Sequence, residues 1–157
     1  MLNKTKSPER KKKKIAFKSL RIGLRGEMSK EQFELKRFSE LEAGKYCLER
    51  AVESGKEIYF DGNNNTASAN YFLSATFYEK AALASVALSQ PRAAFKYFYK
   101  ASKYYSKSIE LSPEKNRLEY PKRSRKMADI CVYEAARRFL RNYRATIGLH
   151  ARIDRLK

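Results

Sequence analysis

The sequence contains few of the residues that build catalytic and metal-binding sites. It has one histidine, two cysteines and no tryptophan among its 157 residues. Because His150 is the single histidine, a metal site built from several histidines of one chain is excluded. Cys47 and Cys131 are too few and too far apart for a disulfide framework or a zinc site, so we interpret them as core thiols in a reducing compartment. The sequence therefore predicts no metal and no cofactor.

Other features of active sites and of membrane proteins are missing as well. The six glycines form no phosphate-binding loop of the Walker or dinucleotide type. The carboxylates lie mainly along one helix at solvent-facing spacing, which does not indicate paired acid–base chemistry. No apolar run approaches the roughly 20 residues of a membrane span, and the N-terminus lacks a hydrophobic secretory core. We predict a protein without catalytic activity and without a membrane span, intracellular and cytoplasmic, with a nuclear location through its basic runs as the alternative.

Acidic residues are in deficit, with 17 Asp and Glu against 35 Lys and Arg, which gives a formal net charge of +18. Residues 1–28 carry ten basic and two acidic side chains, residues 29–120 carry fourteen and twelve, and residues 121–157 carry eleven and three. The middle of the chain is nearly neutral, and the excess lies at the two ends. A domain this basic repels copies of itself unless a polyanion compensates, which favours a nucleic-acid partner.

Helical periodicity with few glycines and prolines predicts an all-α fold. Ser29 and Gln32 have the spacing of a capping box and predict the start of a first helix, which the polar residues 61–65 end. Its apolar series recurs at close to helical period and indicates a core-facing side: Leu35, Phe38, Leu41, Leu48 and Val52. Residues 66–89 predict a second helix, rich in alanine and apolar nearly all round. A helix of that kind is buried at the centre of a domain.

Two further helices are predicted in the second half of the chain. Pro91 suits a first helical position, and the short connection before it makes helices 2 and 3 an antiparallel hairpin. Helix 3, over residues 92–111, has an aromatic side for the core and a stripe of lysines on the other side. A polar connection over residues 113–123 leads to helix 4, over residues 124–147, which Gly148 ends.

Two stretches resemble known helical families. YKASKYYSKSIELSP resembles the second helix of a tetratricopeptide repeat, where Ala101, Tyr105, Ser108 and Pro113 match the spacing of small and aromatic residues before a terminal proline. The resemblance covers about one helix, and no second copy follows at the 34-residue period of such repeats. It implies an architecture of helical hairpins.

The second resemblance is to the HEPN group of small helical proteins, some of which are RNases. SATFYEKAALASVAL is similar to the alanine-rich second helix of that group, and Arg144 with His150 forms an Arg-x5-His near the C-terminus. Gly148 departs from the pattern, because it stands where a continuous helix should hold both side chains. The resemblance implies RNase chemistry as a minor alternative.

The predicted architecture is thus a four-helix antiparallel bundle, or helical hairpins like those of tetratricopeptide repeats, with basic disordered arms at both ends. The helical domain spans residues 29–147, between an N-terminal arm at 1–28 and a C-terminal tail at 148–157. Residues 1–14 have self-repelling charge and nothing to bury, which predicts disorder in the free protein. Residues 15–25 interleave apolar and basic side chains, which we interpret as an extended arm packed on the body.

Three groups of basic residues are the candidates for contacts with phosphates. The N-terminal arm contributes Arg10, Lys11, Lys12, Lys13, Lys14, Lys18, Arg21 and Arg25. Helix 3 contributes a stripe at positions i, i+4, i+7 and i+11, formed by Lys96, Lys100, Lys103 and Lys107. Helix 4 contributes a cluster at its start, Lys122, Arg123, Arg125 and Lys126, and a face without acidic partners, Arg137, Arg138, Arg141 and Arg144. Three tyrosines border the lysine stripe at positions suited to stacking on unpaired bases: Tyr97, Tyr99 and Tyr104.

These features predict a non-catalytic RNA-binding protein, a structural component of a ribonucleoprotein particle such as a ribosome. Its arms become ordered on the RNA, and other protein subunits of the same particle are its further partners. RNA is favoured over DNA by analogy with small basic proteins of large RNA assemblies. The main alternative is an adaptor built of helical hairpins with basic targeting ends, and the minor ones are an RNase and a DNA-packaging protein.

Overall fold

The computed structural model describes the backbone of residues 8–24, 26, 28–61 and 64–154, and the side chains of these residues other than 10, 11, 56–61, 64 and 148–154. Within these ranges the chain is all-α, as predicted, and contains no strand. Five α-helices and one short 3-10 turn follow one another: α1 (Pro8–Leu24), α2 (Lys30–Asp61), α3 (Asn64–Ala87), α4 (Pro91–Leu111), the turn at Lys115–Arg117, and α5 (Glu119–Asp154).

The predicted helix boundaries at Ser29 and Pro91 are confirmed. The Ser29 N–H donates to Gln32 Oε1 at 2.7 Å, and the Gln32 N–H donates to Ser29 Oγ at 3.2 Å, which is a reciprocal capping box. The C-terminal end of α3 is followed by Ser89, whose backbone lies in the left-handed region at φ 60°. There the Gln90 N–H donates to the Ser85 carbonyl at 2.8 Å and satisfies a carbonyl of the last turn.

Helices that follow one another in the sequence pack against one another. α2 packs on α3, α3 on α4, and α4 on α5, while α1 returns to lie against α5 and α3. α3 and α4 run antiparallel, since Ser68 near the start of α3 meets Ser108 near the end of α4. α2 and α3 do so as well, since Phe33 near the start of α2 lies with Ala84 and Ala87 at the end of α3. The described part of the chain is therefore a bundle of five helices, whereas four were predicted.

The central helix is α3, as its alanine content predicted. Its buried residues are almost all small: Ala67, Ser68, Ser74, Ala75, Ala81, Ala82, Ala84, Ser85, Val86 and Ala87, with Tyr78 the exception. Ser68 Oγ donates to the Ser108 carbonyl and Ser108 Oγ donates to the Ser68 carbonyl, both at 2.8 Å. On the other side a Cβ at Gly44 of α2 would lie 3.2 Å from the Tyr78 ring. Small residues thus allow both neighbours to approach α3 closely.

The buried side of α2 matches the predicted one only in part, since Leu41 packs half-buried against the core while other predicted residues are exposed. Leu35 and Phe38 are exposed at 71% and 64%, while Phe33, Gly44 and Ala51 are buried. The prediction followed the large apolar residues, but a helix that packs closely on α3 needs small ones at the contact. Leu35 and Phe38 are left on the outer face of α2, although Phe33 is buried.

The N-terminal arm is helical where an extended arm was predicted. α1 begins at Pro8, so the predicted disorder of residues 1–14 is wrong for its C-terminal half, and residues 1–7 lie outside the described residues. The predicted packing on the body is correct, because Phe17 is only 2% exposed and joins the core with Leu20 and Leu24 beside it. This apolar contact stabilises the helix, which in the isolated segment would be destabilised by repulsion between its charges.

The C-terminal helix extends further in both directions than predicted. α5 begins at Glu119, which puts Pro121 in the first turn, where no intrahelical N–H bond is required. It continues through Gly148 to Asp154, since an interior glycine costs only about 1 kcal/mol relative to alanine. The predicted end at Gly148 is therefore wrong, and residues 148–154 belong to the helix. Residues 139–147 are all exposed.

Candidate nucleic-acid interface

A cleft between α1 and α5 brings together basic residues from both ends of the sequence. We call it the cationic cleft. It has a volume of about 360 Å³ and is lined by Lys14, Phe17, Lys18, Arg21, Ser89, Glu134, Arg137, Arg138 and Arg141. Six of these side chains are cationic and one is a carboxylate. The sequence assigned all six cations to phosphate contacts but placed them in two separate regions.

The placement of α1 follows from its helical spacing. Lys14, Lys18 and Arg21 recur at i, i+4 and i+7, so they share one side of α1. Phe17 lies next to this side and is buried in the core, where the guanidinium of Arg138 lies 5.6 Å from its ring centroid. The apolar contact of Phe17 therefore orients the cationic side of α1 toward α5.

Ser89 is the point at which the two helices are joined. Arg21 Nη1 donates to Ser89 Oγ at 2.9 Å, while Arg138 donates from Nη1 to the Ser89 carbonyl at 2.7 Å and from Nη2 to Ser89 Oγ at 3.0 Å. The left-handed conformation of Ser89 exposes its carbonyl to Arg138 after α3 has ended. Arg21 Nε is buried and has no hydrogen-bond partner among the described residues.

Glu134 is the one carboxylate of the cleft, and it is 3% exposed. Arg137 donates to it from Nε and Nη2 at 2.8 and 2.7 Å, and Arg138 Nε donates at 2.9 Å. Burial by itself raises the pKa of Glu134, but the hydrogen bonds from Arg137 and Arg138 outweigh it and hold the pKa below its usual value of 4.5. Two of the four predicted arginines thus have an acidic partner, which corrects the expectation that this face has none.

The remaining cations of the cleft are free of ion pairs with the described residues. Lys14, Lys18 and Arg141 are exposed, and Arg141 lies one turn after Arg137. Arg144 follows on α5 and is also exposed. Lys14, Lys18 and Arg141 can reach a ligand without breaking an ion pair to the described residues, so they are the cleft's available positive charge.

The four lysines of the α4 stripe are not equivalent. Lys96 and Lys103 are exposed, whereas Lys107 donates to Glu110 at 3.1 Å. Lys100 is half-buried with its Nζ 5.2 Å from the Tyr78 ring centroid. Burial and the charge of the neighbouring Lys96 lower the pKa of Lys100. The stripe is therefore a weaker cationic surface than its spacing predicted.

A second concave surface lies beside the stripe, and we call it the tyrosine groove. It has a volume of about 640 Å³ and is lined by Leu48, Tyr71, Tyr99, Ser102, Lys103, Tyr104, Ser106, Lys107, Glu110 and Arg125. Tyr99 is 43% exposed, and the guanidinium of Arg125 lies 4.6 Å from its ring centroid. Of the three tyrosines predicted to stack on bases, the groove holds Tyr99 and Tyr104 but not Tyr97.

The predicted cluster at the start of α5 is partly engaged within the protein. Lys122 pairs with Glu119 at 3.2 Å, and Arg123 pairs with Glu79 at 2.8 Å. Glu79 also accepts a hydrogen bond from the buried Tyr105 hydroxyl at 2.7 Å, and burial raises the pKa of Tyr105. Arg123 is thus a structural residue of the α3–α5 contact. Lys126 is exposed.

The other predicted residues of the N-terminal arm add little to these two surfaces. Lys12 is exposed on α1, and Lys13 lies 3.5 Å from the carboxylate of Glu9. The side chains of Arg10 and Lys11, and all of Arg25, lie outside the described residues.

Two residues of the cleft were missed by the sequence analysis. Glu134 stands three and four residues before Arg137 and Arg138, a spacing that identifies ion pairs on a helix, so this signal was available. Ser89 carried no signal, because its role depends on a left-handed conformation and on two arginines that are distant in sequence.

The described residues hold neither a group of three His, Cys, Asp or Glu side chains that could hold a metal ion nor a helix long and apolar enough to cross a membrane. Burial raises the pKa of Cys131 to about 12, and it also raises the pKa of Cys47. Both thiols are therefore protonated at neutral pH, a state that disfavours nucleophilic chemistry.

Comparison with known proteins adds no assignment, because no family model, curated protein or solved structure matches this chain.

Proposed function

We propose that this chain is a non-catalytic RNA-binding protein that contacts backbone phosphates through the cationic cleft. The observation that carries the proposal is the convergence of six cationic side chains on one cleft that contains a single carboxylate. Arginine and lysine at such a site bind phosphate by charge-assisted hydrogen bonds, and the guanidinium of arginine also binds in a bidentate manner. The net charge of +18 adds a long-range attraction for any polyanion.

The tyrosine groove favours a single strand over a duplex as the ligand, and single-stranded RNA is the ligand we propose. Tyr99 presents an exposed ring beside Arg125, with Lys103 and Lys107 in the same groove. Aromatic rings of this kind stack on unpaired bases, worth about 1–3 kcal/mol for each base, and duplex DNA offers no unpaired bases. We therefore expect the chain to act as a structural component of a ribonucleoprotein particle, with DNA packaging as the less favoured function.

The direct test is the salt dependence of RNA affinity in a paired set of variants. Lys18→Gln with Arg141→Gln removes two available charges from the cleft. Lys30→Gln with Lys36→Gln removes two exposed charges of α2, outside every predicted site, and is the matched control. Each phosphate contact contributes about 0.7 to the slope of log affinity against log salt for single strands.

We expect the cleft variant to have a slope shallower by about 1.4 and an affinity about 25-fold lower at about 0.1 M salt. The control should retain most of the wild-type affinity. If both variants lose the same amount, the cleft is not the contact surface. If wild type shows no binding of RNA at low salt, the proposed function is wrong.

The groove is tested separately by Tyr99→Ala. We expect a loss of about 1–3 kcal/mol for a single-stranded RNA and little change for duplex DNA. Equal losses for both ligands would argue against base stacking in the groove.

The structure changes how the adaptor and RNase alternatives are tested. Deleting residues 1–28 would remove Phe17 from the core and destabilise the body, so loss of a partner in that truncation would not separate an adaptor from an RNA-binding protein. Point substitutions in the cleft avoid this difficulty. For the RNase alternative, intact RNA after incubation with the wild-type chain would exclude cleavage, and loss of cleavage in His150→Ala would support it.

A further inference from the structure

An apolar stripe on α5 has no cover among the described residues. It consists of Val132, Phe139, Leu140, Tyr143 and Ile147, which are between 40% and 70% exposed. The rings of Phe139 and Tyr143 stack on each other, with centroids 6.3 Å apart and planes 10° apart. Arg144 borders the stripe on the side that leads to Arg141. The exposed face of α5 that carries this stripe is therefore apolar with a cationic border.

The outer face of α2 also exposes large apolar side chains, but its charged residues have the opposite sign. Leu35, Phe38 and Tyr46 are exposed there, at 60% or more. Four exposed glutamates lie within about 40° of Leu35 around the helix at 100° per residue: Glu31, Glu42, Glu49 and Glu53. Two basic residues beside this face are engaged locally, since Lys45 pairs with Glu42 at 2.7 Å and Arg50 lies over the Tyr46 ring. The face is apolar and acidic.

These two faces cannot meet within one molecule, because α2 packs on α3 whereas α5 packs on α4 and α1. The stripe from Val132 to Ile147 spans about 22 Å at 1.5 Å per residue, which is long enough to cover the roughly 16 Å from Leu35 to Tyr46. We propose that copies of this chain associate head to tail, with the apolar stripe of α5 from one copy on the outer face of α2 of the next.

The charges favour pairing of α5 with α2 over the two symmetric pairings, α5 with α5 and α2 with α2. Two α5 stripes placed together would bring Arg144 and Arg141 of both copies near one another, and two α2 faces would bring four glutamates near four others. Like charges at such a contact oppose association, while opposite charges fix the partner and the register. An interface between different surfaces of the same chain forms rings when the rotation closes and filaments when it does not.

The association is expected to be weak. A contact along one pair of helices lies at the lower end of interface sizes, below about 1,200 Å² in total. The net charge of +18 also opposes association, although salt screens it beyond about 8 Å at physiological ionic strength. The apolar contact and the charge complementarity act inside that distance. Concentration-dependent self-association follows.

The test is a complementation experiment in analytical ultracentrifugation. The α5 variant, Phe139→Glu with Tyr143→Glu, damages the stripe and leaves α2 intact. The α2 variant, Leu35→Lys with Phe38→Lys, damages the outer face of α2 and leaves α5 intact. Leu118→Lys, at an exposed apolar residue outside both faces, is the matched control. Wild type and the control should gain mass with concentration, and each of the two variants alone should remain monomeric.

Mixing the two monomeric variants should restore one contact and give a one-to-one dimer that grows no further. An α2 variant that still self-associates would overturn the proposal in favour of pairing between α5 helices. A wild type that is monomeric at all concentrations would overturn the proposal as well. This holds also if the monomeric chain binds vesicles of anionic lipid through the stripe. Failure of the mixture to dimerise would exclude the head-to-tail contact and leave RNA binding by the cleft unaffected.

Discussion

Replacing Glu134 by glutamine changes the stability of the protein and its affinity for RNA in opposite directions. The carboxylate is buried and accepts three hydrogen bonds from Arg137 and Arg138. Glutamine retains the shape but removes the charge that holds Arg137 in place. Hydrogen bonds to charged groups contribute about 1.5–3 kcal/mol each, and both guanidinium groups are partly hydrated, so we expect a net destabilisation of about 1–3 kcal/mol.

The same substitution frees Arg137 for the ligand and raises the net charge of the cleft by one. One additional phosphate contact steepens the salt slope by about 0.7 and raises affinity about fivefold at about 0.1 M salt. Thermal unfolding and fluorescence anisotropy of a labelled RNA measure the two effects. Glu114→Gln, which frees Arg117 from its ion pair before α5, makes the same change in net charge outside both the cleft and the tyrosine groove and is the control.

The outcome separates a ligand-binding arginine from a purely structural one. A Glu134→Gln protein that melts earlier and binds RNA no better would refute the reasoning. An equal rise in affinity in Glu114→Gln would show that net charge alone is responsible. Because the folded pKa of Glu134 is lowered, its stabilising effect is present above the ordinary value of 4.5 and is lost as the pH falls through the folded value. The wild type should therefore lose more stability than the variant as the pH falls below 4.5.

Three further predictions concern the core. Ser124→Ala should stabilise the protein by up to about 1 kcal/mol, because Ser124 Oγ is buried without a partner among the described residues. Ser108→Ala should destabilise it by about 1 kcal/mol, because the hydrogen bond to the Ser68 carbonyl is lost. Equal changes in the melting temperatures of the two variants would contradict this hydrogen-bond assignment. Gly44→Val should destabilise by about 1–3 kcal/mol in denaturant titration, because even a Cβ at this position would lie 3.2 Å from the Tyr78 ring, and an unchanged midpoint would show that α2 can shift. Cys131 is buried and protonated, so it should react with a thiol reagent at neutral pH only as fast as the protein opens. The reaction rate should therefore level off as the reagent concentration is raised.

The sequence predicted the elements that depend on local chemistry. The capping box at Ser29 and the proline at position 91 fix two helix starts by rules that involve only a few neighbouring residues. The alanines of α3 identified the central helix for the same reason. Gly148 misled the prediction, because a single interior glycine weakens a helix without ending it.

What the sequence could not predict depends on contacts between distant segments. α1 is helical because Phe17 packs in the core, and residues 8–24 alone do not indicate which core residues Phe17 contacts. The side of α2 that is buried is chosen by the close approach of α3, which favours Gly44 and Ala51 over Leu35. The cationic residues of the cleft were selected by residue type, but their convergence depends on the packing of α1 against α5.

The small side chains at the centre of the bundle have a consequence for the temperature dependence of stability. Alanine loses no side-chain entropy on burial, so ordering α3 opposes folding less than ordering a helix of leucines would. Alanine and serine also expose little apolar surface on unfolding, and apolar exposure is what raises the heat capacity. We expect a heat-capacity change per residue below the usual value of about 12–15 cal/mol/K. The stability curve should accordingly be flat, with a wide range between cold and heat denaturation.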